Sequence, residues 1–156
     1  MCNLSDDEFF MQTALKEAEA AATRGEVPIG AVAVIDGKII AKAGNRVEER
    51  KTVTAHAELE VLHIAEEYLN DWRMENVTIY VTKEPCAMCA GALVNARVKR
   101  IVYGLSDPRS GCCGSALDIT GFSGMLWQIP ITGGVLADES SRLIKDFFKA
   151  ARRREK

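Results

Sequence analysis

A β-rich run, "VTIYVT" at 77–82, is followed by "CAMCAGALVNAR" behind Pro85 and then by a second apolar run, "RIVYG" at 100–104. The middle segment reads as a helix. A strand that reaches the next strand through a helix must cross over, so the two strands are expected as parallel neighbours. Upstream, "VPIGAVAVI" and "KIIAKAG" read as strands joined by Asp36-Gly37, a strong two-residue hairpin signal. One antiparallel pair and one crossover unit therefore share a sheet, which makes this an α/β chain.

The remaining elements supply the layers. Ser5 and Glu8 form a capping-box pattern ahead of "FFMQTALKEAEAAATRG". Met11, Leu15, Ala18 and Ala22 recur at helical spacing, with Gly25 as a C′ stop, so a helix is expected over residues 6–24. Thr54 reads as the N-cap of a helix reaching Leu69, with Leu62, Ala65 and Leu69 on its buried stripe. "ITGGVL" reads as a last strand, and "ESSRLIKDFFKAARR" as an amphipathic helix with Leu143 and Phe147 four apart. The expected product is a mixed five-stranded sheet with helices on both faces. Repeats, low-complexity tracts and Pro/Ser-rich linkers are absent, so residues 1–156 are read as a single domain.

Composition narrows the class. The chain is 47% hydrophobic and carries a net charge of −2, so it is globular and not an obvious nucleic-acid binder as a whole. A local exception is "KAARRREK", which is either a solvated helix end or a contact for a polyanion through Arg152, Arg153 and Arg154. Apolar runs are too short to span a bilayer, and "MCNLSDDEFF" lacks the features of a secretory signal, so a cytoplasmic protein without a membrane partner is expected. Five cysteines, an odd number, do not suggest a disulfide framework; in a reducing compartment, short cysteine spacing points to metal or catalysis.

That chemistry concentrates in two short motifs. Cys86 and Cys89 stand three apart at the start of a helix, where free N–H groups favour thiolates. His56 stands near the start of another helix, with Glu58 two residues on. Both helices follow strands, so both starts can meet at one edge of the sheet. Two thiolates and an imidazole are preferred zinc ligands, and three protein ligands leave a fourth position open for catalysis. His56, Cys86 and Cys89 are the expected metal ligands; Glu58 is the expected acid/base shuttle for a metal-activated water. A lone CxxC is weak and can be redox-active or accidental; the combination is specific. His63 reads as an exposed structural histidine. The adjacent Cys112 and Cys113 read as packing residues before metal or redox groups, and Cys2 as a terminal thiol.

The pattern H-A-E followed by P-C-A-M-C resembles the zinc nucleobase deaminases of the cytidine deaminase superfamily. More narrowly, "EVPIGAVAV" (26–34), "GNR" (44–46), "TAHAE" (54–58), "YVTKEPCAMCAGAL" (80–93), "VYG" with "SDP" (102–108), "GVLADE" (134–139) and "DFFKAARR" (146–153) resemble the bacterial tRNA-specific adenosine deaminases in their order. The resemblance implies a three-layer α/β/α cytidine deaminase-like fold, one Zn2+ per subunit, and hydrolytic conversion of adenosine to inosine at the wobble position of a tRNA anticodon loop. It implies a homodimer. It further implies that Asn45 and the backbone of Ala57 contact the flipped-out nucleoside, that Val27, Pro28 and Ile29 wall the base, and that Asp107 lies near a neighbouring ribose. Chemistry on a ring edge suits a splayed loop nucleotide, and the basic tail then suits RNA phosphates.

The sequence departs from the family in two places. "TVT" (52–54) stands where the family often has Asp-Pro-Thr, and "FSGMLWQIP" (122–130) replaces an Asn-His-like segment. Trp127 in that segment reads as core or interface before a stacking surface. The residues also admit a deaminase of a free base such as guanine or cytosine, and a non-enzymatic zinc-stabilised partner module.

Overall fold

The tight turn at Asp36-Gly37 sets the first pairing. Both residues take positive φ, 47° and 77°, the left-handed pair that matches hairpin twist. The computed structural model describes residues 4–155, with side-chain detail from Asp6 onward. In it, β1 (Gly30–Ile35) and β2 (Lys38–Gly44) run antiparallel from this turn. β1 also pairs antiparallel with β3 (Thr78–Lys83). β3 pairs parallel with β4 (Arg100–Leu105), and β4 parallel with β5 (Ile131–Thr132). The result is the expected mixed five-stranded sheet, in the order β2-β1-β3-β4-β5.

Strand alternation sorts the core into two layers. Val32, Tyr80 and Val102 face α1 (Leu4–Thr23), against Phe10, Met11 and Ala14. Ala31, Ala33, Ile79, Val81 and Ile101 face the other way, against α3 (Ala57–Leu69) and α4 (Ala87–Asn95). α5 (Ala137–Arg154) shares the α1 side and packs on β3 and β4. Each fully buried aliphatic side chain contributes about 1.5–3 kcal/mol, so the two layers hold the fold together. Gly30 lets α1 lie directly on β1: a Cβ there would stand 2.1 Å from the Ala14 carbonyl oxygen. Among the described residues, no helix is long and apolar enough to cross a membrane.

The structure corrects several boundaries. The second long helix begins at Ala57 with His56 as its N-cap, not at Thr54. The Arg46 N–H donates to the Ala55 carbonyl (2.9 Å), which ties the chain before His56 to another loop and delays the helix. The Thr54 hydroxyl instead meets that of Thr52 at 3.1 Å. The last strand is two residues long, because the chain leaves the extended region at the Gly133-Gly134 pair after it, where Gly134 turns to φ 86°. A short helix, α2 (Val47–Arg50), was not expected; the buried carboxylate of Glu26 accepts the N–H groups of Glu48 and Glu49 at 2.8 and 3.0 Å and creates it. Cys2 and the Ser5 side chain lie outside what is described.

One buried ion pair ties the layers at the amino end of the sheet. Asp7 on α1 accepts from Tyr80 Oη at 2.9 Å and from both Arg100 Nη groups at 2.9 and 2.8 Å. Burial opposes ionisation of Asp7, but the bonds from Arg100 and Tyr80 outweigh it and hold the carboxyl below its ordinary range. A depressed carboxyl adds stability above its unfolded pKa and loses it as pH falls through the folded value. Asp7→Ala is therefore expected to cost about 3 kcal/mol in urea unfolding at neutral pH. The difference from the parent should shrink as pH falls below the carboxylate range; a pH-independent difference contradicts this role.

Candidate active site

Two helix starts meet at the carboxyl end of β3. Pro85 ends the run after β3, Cys86 caps α4, and Cys89 follows within its first turn. His56 caps α3 in an extended conformation, φ −67° and ψ 151°, which turns its ring off the helix start. His56 Nδ1 stands 3.5 Å from Cys89 Sγ and 3.7 Å from Cys86 Sγ. All three ligand atoms lie within 4.8 Å of one another. A tetrahedral ion with bonds of about 2.0–2.3 Å holds its donors roughly 3.5–3.8 Å apart, so the spacing fits a zinc-sized ion.

The electrostatics fit as well. Hydrogen bonds from Cys89 and His56 hold the Cys86 thiol down to about 3, while Cys86 and burial push the Cys89 thiol up. The hydrogen bond with Cys86 raises His56, against the burial that lowers it. Two sulfurs this close share one negative charge unless a cation lets both ionise. The donor set thus suits a soft divalent ion.

Glu58 stands beside this cluster and is not part of the three-donor group. Its side chain is buried, and burial raises its carboxyl. A cavity of about 140 Å3 is lined by His56, Glu58, Cys86, Ile29 and Asp107, together with Lys83, Glu84 and Ser110. Of the expected contact residues, the structure therefore brings Ile29 and Asp107 to the cavity. Ala57 is buried between His56 and Glu58, with its N–H in the first turn of α3. Val27 and Pro28 precede Ile29 but do not line the cavity, nor does Asn45. Asn45 is buried; its N–H donates to Ile29 O and its Oδ1 accepts from Val47 N at 3.2 Å. The amide NH2 of Asn45 has no protein partner among the described residues and is a group it can offer to a ligand. Arg152, Arg153 and Arg154 are exposed at the end of α5 and take no part in the cavity.

Sequence reasoning passed over Lys83, Glu84 and Ser110. Lys83 had one signal, its place at the carboxyl end of a strand. Glu84 had none, because its role depends on a distant loop. Its buried carboxylate accepts the N–H groups of Asp107 (3.0 Å), Cys113 (3.0 Å) and Ser115 (3.1 Å) and the Ser115 hydroxyl. It thereby gathers residues 107–115 against the site. Asp107 in turn accepts from Arg109 N, Ser110 N, Ser110 Oγ and Lys83 Nζ. Burial works against its charge, yet the bonds from Ser110, Arg109 and Lys83 hold it well below the ordinary carboxylate range.

The other marked residues have structural places. Cys112 and Cys113 are buried in the core, and burial pushes the Cys113 thiol up to about 12, so neither resembles a reactive thiolate. Trp127 packs against the same core and donates Nε1–H to Val98 O at 2.8 Å. His63 is exposed, 3.5 Å from Glu66.

The family model for MafB19-like deaminases matches residues 5–152. A relative from Bacillus subtilis (strain 168), a tRNA-specific adenosine deaminase, is 43% identical over 98% of this chain and 95% of its own. The chain belongs to the tRNA-specific adenosine deaminases, within the MafB19-like deaminase family. A second such deaminase, from Agrobacterium fabrum, is 40% identical over 96% of this chain and 98% of its own. A solved structure described for A-to-I editing by tRNA:A34 deaminases at the wobble position superposes with a TM-score of 0.84. It is 42% identical and covers 86% of this chain and 98% of that one. A guanine deaminase from Nitrosomonas europaea shares the fold at 23% identity, with a TM-score of 0.78 over 90% of this chain and 83% of that one.

Glu84→Ala removes a charged acceptor of four bonds and is expected to destabilise the protein by about 3 kcal/mol. Hydrogen exchange should speed up at the Asp107, Cys113 and Ser115 amides ahead of the sheet amides. Uniform exchange across the chain contradicts a local organising role.

Proposed function

We propose that this deaminase converts adenosine to inosine at the wobble position of a tRNA anticodon loop. The observation that carries this reading is the His56–Cys86–Cys89 cluster with buried Glu58 beside it, in a chain 43% identical to a tRNA-specific adenosine deaminase over nearly its full length. The residues fit one Zn2+, which His56, Cys86 and Cys89 would hold and which would acidify a water from about 15.7 toward neutral.

Glu58 sits where it can take the proton of the attacking water. The water oxygen bonds to C6 of adenine while Glu58 passes the proton to ring nitrogen N1. Glu58 then delivers the second proton to the amino group, the C6–N bond breaks, and ammonia leaves. One water is consumed and one ammonia released. Burial raises the Glu58 carboxyl above its ordinary value, which makes its carboxylate a stronger acceptor for the proton it takes from water and later returns.

The small cavity admits a base and leaves the sugar and phosphates outside it. The Ala57 N–H would then orient the base, Ile29 would supply its apolar wall, and Asp107 would meet a neighbouring ribose; Val27, Pro28 and the Asn45 amide, which do not line the cavity, would reach the nucleoside only at its rim. The exposed run Arg152, Arg153 and Arg154 would contact RNA phosphates outside the pocket. The working unit in this reading is a homodimer in the cytoplasm, the compartment of mature tRNA.

Incubation with a tRNA carrying adenosine at position 34, followed by sequencing, should show inosine at that position. Unchanged adenosine, with ammonia released from free guanine or cytosine in parallel reactions, selects the free-base reading. His56→Ala and Cys86→Ala should lose metal and activity together. Glu58→Ala should retain close to the parent's metal content while turnover falls at least about a hundredfold. Loss of metal from the Glu58 variant contradicts the separation of shuttle from ligand.

A further inference from the structure

The lysine at the cavity has no assigned role. Lys83 ends β3, and strand alternation puts it on the same side as Ile79 and Val81, the side that holds α3, α4 and the His–Cys–Cys cluster. Its parallel partner is Leu105, two residues before Asp107. Lys83 Nζ lies 3.1 Å from Asp107 Oδ2, and both residues line the cavity with His56, Glu58 and Cys86. No other lysine and no arginine lines it. The Lys83 side chain is 32% exposed, so its ammonium stays within reach of solvent while it pairs with Asp107.

From this arrangement we infer that Lys83 is a substrate-binding residue that holds a phosphate of the RNA backbone next to the flipped-out adenosine. The inference rests on the RNA-deaminase reading above. A base inserted into a cavity of about 140 Å3 leaves its flanking phosphates at the mouth, and Lys83 is the lysine or arginine among the lining residues that can meet one. Asp107 does not depend on Lys83 for its place. The Arg109 and Ser110 amides (3.0 and 3.2 Å) and the Ser110 hydroxyl (2.7 Å) hold its two oxygens. Asp107 keeps these three donors when the ammonium leaves, and Lys83 is itself partly exposed, so Lys83 can exchange Asp107 for a phosphate without leaving the carboxylate unsatisfied. Asp107 serves meanwhile as a parking site, keeping a flexible four-carbon side chain over the cavity and reducing the ordering cost on binding. The recognition is of a phosphodiester, not of a base, so it carries no sequence preference.

The test uses the whole protein, its metal bound, and an anticodon stem-loop RNA containing the target adenosine. Lys83→Gln should raise KM about tenfold at low salt with kcat little changed. In a binding titration the slope of log affinity against log salt should fall by about 1 for Lys83→Gln, and Lys83→Arg should restore both slope and KM. An unchanged salt slope, or a fall in kcat alone, overturns the inference and leaves Lys83 as a positioning partner of Asp107. Absence of inosine in the parent reaction defeats the RNA-deaminase reading by itself, whereas the salt-slope comparison among the Lys83 variants reads the phosphate contact without turnover.

Discussion

Two sulfurs and an imidazole nitrogen within 4.8 Å of one another form a crowded donor set that a folded chain sustains most readily around a shared cation. The rest of the molecule is arranged to bring them together. The parallel pairing of β3 with β4 sends α4 back across the sheet, so Cys86 and Cys89 start their helix at the carboxyl edge. The tie between Arg46 N and Ala55 O sends the chain extended into α3, so His56 caps a second helix beside the first. The opposing demands on the two thiols follow from this geometry: one is ionised easily, and the other is not until positive charge arrives.

Around that centre, buried carboxylates organise backbone where the sheet cannot. Glu26 caps α2 and thereby fixes the turn that carries Asn45. Glu84 collects four donors from residues 107–115 and places Asp107 and Ser110 at the cavity. Each gathers N–H donors that the local backbone leaves without carbonyl partners, and those donors in turn offset the desolvation of the buried acid. The same acids position loops that ligands meet, so stability and function are coupled through them.

What could be read from residues alone was what local chemistry decides. Asp36-Gly37 encodes its own left-handed turn, and the β3–α4–β4 run encodes its parallel pairing, so the sheet was legible. The zinc-type donors were legible because His, Cys and Glu at those spacings have few other common uses. What escaped depends on distant partners. Thr54 looked like a cap, yet the loop holding Ala55 decided where the helix begins. Glu84 was passed over, because its donors lie in the distant 107–115 segment that returns to it. Lys83 was passed over too, because its partner Asp107, 3.1 Å away, comes from another part of the chain. Trp127 was readable as core, but not its bond to Val98 O, which needs the fold.

The central claim is that a single ion takes two sulfurs and one nitrogen from the chain and keeps one position for water. X-ray absorption at the zinc edge of the purified protein measures this directly. The account predicts two sulfur neighbours at about 2.3 Å and two light-atom neighbours, one of them imidazole, at about 2.0–2.1 Å. A third sulfur, as Cys112 or Cys113 would supply, or a shell closed by four protein donors would contradict it.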